Sequence, residues 1–178
     1  MSLQRIMSKY AGYNLWANRT LVTWLKTKPA GLLEQEVPSS FPSLVKTIVH
    51  IWDTERFWIS VLKGVPPPPS FRFHNYNGTS EEAMESLVAQ SEEFDNYIDT
   101  LWESDLMEEC NLDTPWVKGT LPKYEFIQHC FNHSTYHRGQ LITIGRNIGL
   151  TDAPMTDYNF YNMVTLKTQV LEKNSVAA

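Results

Sequence analysis

PKYEFIQHCFNHSTYHRGQLITIGRNIG, residues 122–149, reads as one long helix. Pro122 suits its first turn, where a missing N–H costs no hydrogen bond. Gly149 fits the C-terminal cap, and Arg146 in the last turn meets the negative end of the helix dipole. The spacing predicts a helix from Pro122 to about Asn147. Upstream, residues 3–27 place Leu3, Ile6, Tyr10, Tyr13, Ala17, Leu21 and Trp24 at three- and four-residue steps, until Pro29 and Gly31 end the run. Residues 42–63 carry the stripe Leu44, Ile48, Ile51, Trp52, Glu55, Trp58 and Leu62, with Ser39 and Ser40 as caps, Pro42 in the first turn and Gly64 at the close. Thr79 or Ser80 caps a third helix, with Glu81 and Glu82 in its first turn, running to about Trp102.

The connections are long. Pro66–Pro69 must be extended polyproline, and the loop beyond it, with Phe71, Phe73, His74 and Tyr76, is aromatic enough to cover something. Asn111, Asp113, Pro115 and Gly119 are turn formers that allow a short hairpin around Trp116. After Pro154, a short fifth helix is expected over 157–172, capped by Thr156 or Asp157, and a frayed tail over 173–178. Four long helices without a clear strand pattern predict an all-α four-helix bundle, one domain over 1–172, that is not a plain up-down array.

In the helix from Pro122, His129, His133 and His137 stand four residues apart. Each step of four turns about 40°, so all three share a stripe about 80° wide. Two imidazoles one turn apart can reach a single ion, as in helical zinc motifs. Five histidines in 178 residues predict roughly 0.14 such pairs by chance, and here two overlap. The alternative is a run of hydrogen-bonded polar residues along a helix seam. A third ligand must come from elsewhere. His50 lies midway along the second helix with Asp53 one turn on, an arrangement suited to a ligand and its carboxylate partner, although for an isolated histidine a hydrogen-bonded core position is the commoner case. His74 belongs to the aromatic loop and reads as surface. A di-iron site is disfavoured, because no glutamate stands three residues before a histidine. Cys130 shares the stripe of His137, yet a buried structural cysteine is the simpler reading.

Composition excludes several classes. The net charge is −5 and no Lys/Arg cluster occurs, so neither nucleic acid nor an anionic membrane is invited. Two cysteines, Cys110 and Cys130, are too few for a disulfide framework and suit a reducing cytoplasm. No apolar run has the length of a membrane span, the N-terminus lacks the plan of a signal peptide, and no nucleotide-binding or serine-hydrolase motif is present. A soluble cytoplasmic protein is expected.

The run Asn132-His133-Ser134-Thr135-Tyr136-His137-Arg138-Gly139-Gln140 resembles the most characteristic motif of the DinB family of bacterial damage-inducible proteins, the DinB/YfiT-like metalloenzymes. Ser43–Trp58 resembles that family's other signature, around His50. Tyr13–Asn18 resembles its start, and Asp157-Tyr158-Asn159 its close, so the likeness covers about residues 5 to 165. The resemblance implies a four-helix bundle, commonly a homodimer, with a three-histidine site for one divalent ion. Nickel or zinc leads, with iron, manganese or copper also compatible. By motif position the ligands are His50, His133 and His137. His129 falls where the family often has a histidine that is not a ligand, and is placed beside the site with Asp53 and Arg138.

Some relatives are thiol S-transferases that use bacillithiol or a similar low-molecular-weight thiol. Such a transferase, acting on a small-molecule substrate, is therefore the leading expectation, with Arg138 either orienting an acidic thiol or bridging helices. A metal-dependent hydrolase, with Asp53 as base if it reaches the water, and a non-catalytic, stress-responsive metal-binding protein are the alternatives. A deep pocket beside the ion would argue against the last; aromatic sealing of the ion would favour it.

Overall fold

In the computed structural model, residues 2–114, 118–165 and 167 are described. The long helices are α1 (Leu3–Leu25), α3 (Leu44–Leu62), α4 (Ser80–Asp99) and α6 (Lys123–Asn147), and the short helices α2 (Ala30–Glu34) and α5 (Glu103–Met107) fall in the connections. Strands β1 (Glu109–Asp113) and β2 (Lys118–Pro122) pair antiparallel, with Cys110 opposite Leu121 and Leu112 opposite Gly119. This is the expected hairpin; its tip, with Trp116, lies outside the described residues. Residues 158–165 are helical, and the remainder of the expected fifth helix falls partly outside the described residues.

Local chemistry explains the ends. Ser43 caps α3 by accepting the Lys46 N–H, so Ser39 and Ser40 are not the caps that spacing suggested. Thr79 and Glu82 form a full capping box on α4. Gly64 and Gly149 follow α3 and α6 with φ of 65° and 90°, the left-handed conformation that glycine adopts at least cost. Pro29 does stop the first helix, but Gly31 lies inside the unexpected short helix α2.

α1 and α3 each pack on both α4 and α6, so α1 sits diagonally opposite α3, and α4 opposite α6, while the consecutive α3 and α4 are neighbours. The two diagonal steps, from α1 to α3 and from α4 to α6, require long connections. The apolar core falls into two clusters. One gathers Leu21, Leu25, Ile48, Ile51, Leu87 and Leu141; the other gathers Met7, Trp58, Phe94, Ile98, Phe126 and Phe131. On every long helix polar residues are buried between the two clusters: Asn14 and Asn18, Thr54 and Glu55, Gln90 and Ser91, Ser134 and Arg138. This layer crosses the bundle at mid-height. No helix among the described residues is long and apolar enough to cross a membrane.

Candidate metal centre

α3 and α6 are neighbours. His50 lies near the middle of α3, and His133 and His137 near the middle of α6, so the packing of these two helices brings the rings together at the level of the polar layer. His50 Nε2 is 3.1 Å from His137 Nε2 and 3.4 Å from His133 Nε2, and the last two atoms are 3.2 Å apart. An ion bound at ~2.1 Å to each of three nitrogens holds them ~3.0–3.4 Å apart in octahedral or tetrahedral geometry. Among the described residues these three form the one group of metal-ligating side chains that converges in this way.

The donor chemistry fits as well. His137 Nδ1 donates to Gln140 Oε1 at 2.8 Å, and Gln140 Nε2 donates to Ser39 Oγ at 2.6 Å. The proton of His137 is thereby fixed on Nδ1, and its Nε2 points a bare lone pair at the other two Nε2 atoms. Three nitrogens that face one another at this range need a shared Lewis acid or an uneven distribution of protons. The Nδ1 atoms of His50 and His133 are buried without a hydrogen-bond partner among the described residues. Burial first, then the neighbouring imidazoles, hold His50 down to about 3 and His133 down to about 4. His137 is lowered by burial against the pull of Gln140. All three are neutral at neutral pH, the state a metal ligand requires.

The other sequence candidates take different places. His129 is outside the trio. Its ring lies 6.1 Å from that of His133 and 4.9 Å from that of Trp58. The 40° drift per four residues explains this: His137 is buried, His133 half-buried and His129 exposed along one stripe. Asp53 does not support His50. Its carboxylate accepts the Phe73 N–H at 3.0 Å and pairs with Arg72 at 3.4 Å and Arg56 at 3.6 Å, pinning the aromatic loop to α3. Arg138 is buried and does not line the cavity beside the histidines. It donates to Asn14 Oδ1, Asn18 Oδ1 and Thr135 Oγ1 at 2.7, 3.1 and 2.7 Å. Glu55 completes that layer, accepting from Asn14 at 2.7 Å, Asn18 at 3.0 Å and Ser91 at 2.7 Å. Arg138 and Glu55 are thus joined through two asparagines rather than by direct contact. Cys130 is a core residue whose thiol burial pushes well above its usual range, so it is no nucleophile.

Aromatic rings surround the trio. Phe41 stacks on His50 with 3.9 Å between centroids and meets His137 edge-on at 5.3 Å. Phe73 meets His50 edge-on at 5.4 Å. The enclosure is not complete, for His50 and His133 also line a cavity of about 400 Å³ walled by Phe57, Trp58, Phe71 and Phe73. His74, expected at the surface, is exposed and borders this cavity too. Sequence reasoning gave no role to Gln140 and took Ser39 only as a helix cap. Gln140 carried a usable signal, standing three residues after His137 on the same helix; Ser39, 101 residues away, carried none.

Comparison with known proteins agrees with this architecture. The model of the DinB family matches residues 1–172. Protein DinB of Bacillus subtilis (strain 168) is 30% identical over 162 residues, covering 86% of this chain and 91% of that protein. The uncharacterized protein YizA of the same organism is 25% identical over 147 residues, covering 82% and 89%. A DinB-like protein from Bacillus cereus ATCC 10987 shares the fold with a TM-score of 0.63 at 18% identity, over 78% of this chain and 89% of that one. A DinB-like protein from Bacillus subtilis does so with a TM-score of 0.60 at 14% identity, over 83% and 96%. With a match to the family model over nearly its whole length and a 30% identical relative of the same name, the chain belongs to the DinB family.

Proposed function

We propose that this protein holds one divalent ion, nickel or zinc, on His50, His133 and His137, and acts as a metal-dependent thiol S-transferase on a small molecule. The observation that carries the reading is the convergence of three neutral Nε2 atoms, 3.1–3.4 Å apart, at the end of an accessible cavity. Three ligands leave coordination positions open, as catalytic sites do and closed structural sites do not. When bound, the ion would lower the pKa of a thiol and supply thiolate at neutral pH. The chemistry so supplied would be transfer of the thiol sulfur to an electrophilic carbon, whose leaving group would depart with the bonding pair. The thiol proton passes to solvent.

The chain's own residues bind, orient and exclude water. Gln140 and Ser39 hold the His137 ring, and Phe41 and Phe73 hold that of His50. Hydrolysis is the second reading, and the same ligand set suits it. It is the weaker, because no carboxylate of the described residues lines the cavity and Asp53 is committed to Phe73, Arg72 and Arg56. Hydrolysis by this site would therefore lack a carboxylate base. The test is turnover of a model electrophile with bacillithiol and with simpler thiols, before and after chelation. Turnover lost on chelation and restored by metal is expected. Absence of turnover with every thiol, alongside hydrolysis of an ester or amide, would overturn the transferase reading.

The family resemblance also supports a homodimer.

A further inference from the structure

The cavity beside the histidines carries information about what enters it. At one end stand His50 and His133; the walls are Phe57, Trp58, Phe71 and Phe73. Among the described residues no aspartate, glutamate, lysine or arginine lines it. The nearest charges are turned elsewhere. Asp53, Arg56 and Arg72 are spent on one another, and Arg72 also covers the Trp52 ring at 4.1 Å. Away from the ion at the histidine end, a charged group buried here would find no carboxylate, lysine or arginine partner among the described residues, which is costly, whereas a planar ring would find aromatic partners. Two of the walls, Phe71 and Phe73, are 6.0 Å apart between centroids and belong to the loop that Asp53 pins.

We infer that this cavity binds the uncharged aromatic body of the substrate, about the size of a two-ring system, with the reacting end directed at His50 and His133. The inference rests on reading those histidines as an open metal centre, and it names the electrophile rather than the thiol as the occupant. Thr54, His74, Thr114 and His129 add hydrogen-bonding groups to the lining, but a thiol cosubstrate rich in carboxylates would find no lysine or arginine there among the described residues, so its body extends outside the cavity. Specificity for the acceptor is then set by Phe57, Trp58, Phe71 and Phe73, none of which is a ligand of the ion.

The test compares two probes with the same ring system. 2-Naphthol is uncharged at neutral pH; 2-naphthalenesulfonate is permanently anionic. Ligand-observed NMR on the metal-free protein is expected to find naphthol bound about tenfold more tightly than the sulfonate, as follows from burying an unpaired charge. Phe73→Ala and Phe71→Asp should each weaken naphthol binding about fivefold or more, the first by loss of ring contact and the second by a charge in the wall. Both side chains are only half-buried, and circular dichroism verifies that each variant is folded. The inference is overturned if the sulfonate binds as tightly as naphthol, or if both variants bind naphthol as the wild type does. Metal content measured on parallel metal-loaded samples separates the two readings. Naphthol binding as expected with no retained metal overturns only the metal centre, and retained metal without naphthol binding overturns only the occupant proposed here.

Discussion

His137 shows how one side chain is prepared for its role by its neighbours. Its Nδ1 proton is held by Gln140, which is held by Ser39, so its Nε2 is left as a lone pair. Gln140→Leu removes the orienting acceptor while keeping the volume. Metal affinity measured by competition with a chelator is expected to fall about 10–100-fold, the usual cost of losing such a partner, with little change in thermal stability. Unchanged affinity would show that the ring is held by packing alone. The histidines also set an acid response in the metal-free protein. His50 falls from 6.5 to about 3 on folding and His133 to about 4. The folded state therefore takes up fewer protons than the unfolded chain in this range. The stability these groups contribute is full above about 6.5 and is lost as pH drops toward 3. Melting temperature should fall from pH 6.5 downward, and His50→Gln should flatten that slope; an equal slope in the variant would contradict the assignment.

At the scale of elements, α3 carries two buried acids with opposite duties. Glu55 faces inward and ties α1, α4 and α6 together through Asn14, Asn18, Ser91 and Arg138. Losing it strands Arg138, a buried cation, and leaves buried donors unpaired. Glu55→Ala should cost about 3–5 kcal/mol, the range for breaking a buried pair from one side, read as a fall of about 10 °C or more in melting temperature. Asp53 binds the loop at Phe73 instead. Asp53→Asn should loosen that loop, seen as several-fold faster tryptic cleavage after Arg72 in a protein whose helices still melt cooperatively.

These two residues also mark how far the sequence could be read. Helical periodicity found α3, and spacing found His133 and His137, because both follow from local geometry. The motif around His50 supplied the third candidate ligand. Asp53 was assigned to His50 since both lie on one helix at a three-residue step. Its true partner, the Phe73 N–H, comes from a loop 20 residues away, and no local pattern encodes that contact. Glu55 was visible as an acid within an apolar stripe, but its partners come from three other helices. The same limit kept Arg138 an open choice between cosubstrate and helix bridging.

Over the whole molecule, the two apolar clusters leave a polar layer between them, and the histidine trio lies at the same height. Charge inside a bundle is tolerated there because each member is hydrogen-bonded, and the layer also fixes the register of four helices around the site. The diagonal steps demand long connections from α1 to α3 and from α4 to α6, whereas the long loop between the neighbouring α3 and α4, pinned by Asp53, returns over the site as the cavity wall. Light scattering on the purified protein is expected to give twice the mass of the 20.6 kDa chain; a monomer would contradict the proposed dimer.

The central claim is that His50, His133 and His137 share one ion. Elemental analysis of purified protein, after dialysis against metal-free buffer, tests it most directly. About one divalent ion per chain is expected in the wild type, little in His50→Ala and little in His133→Ala, with His129→Ala retaining the wild-type amount. Metal content unchanged in both His50→Ala and His133→Ala would contradict the account.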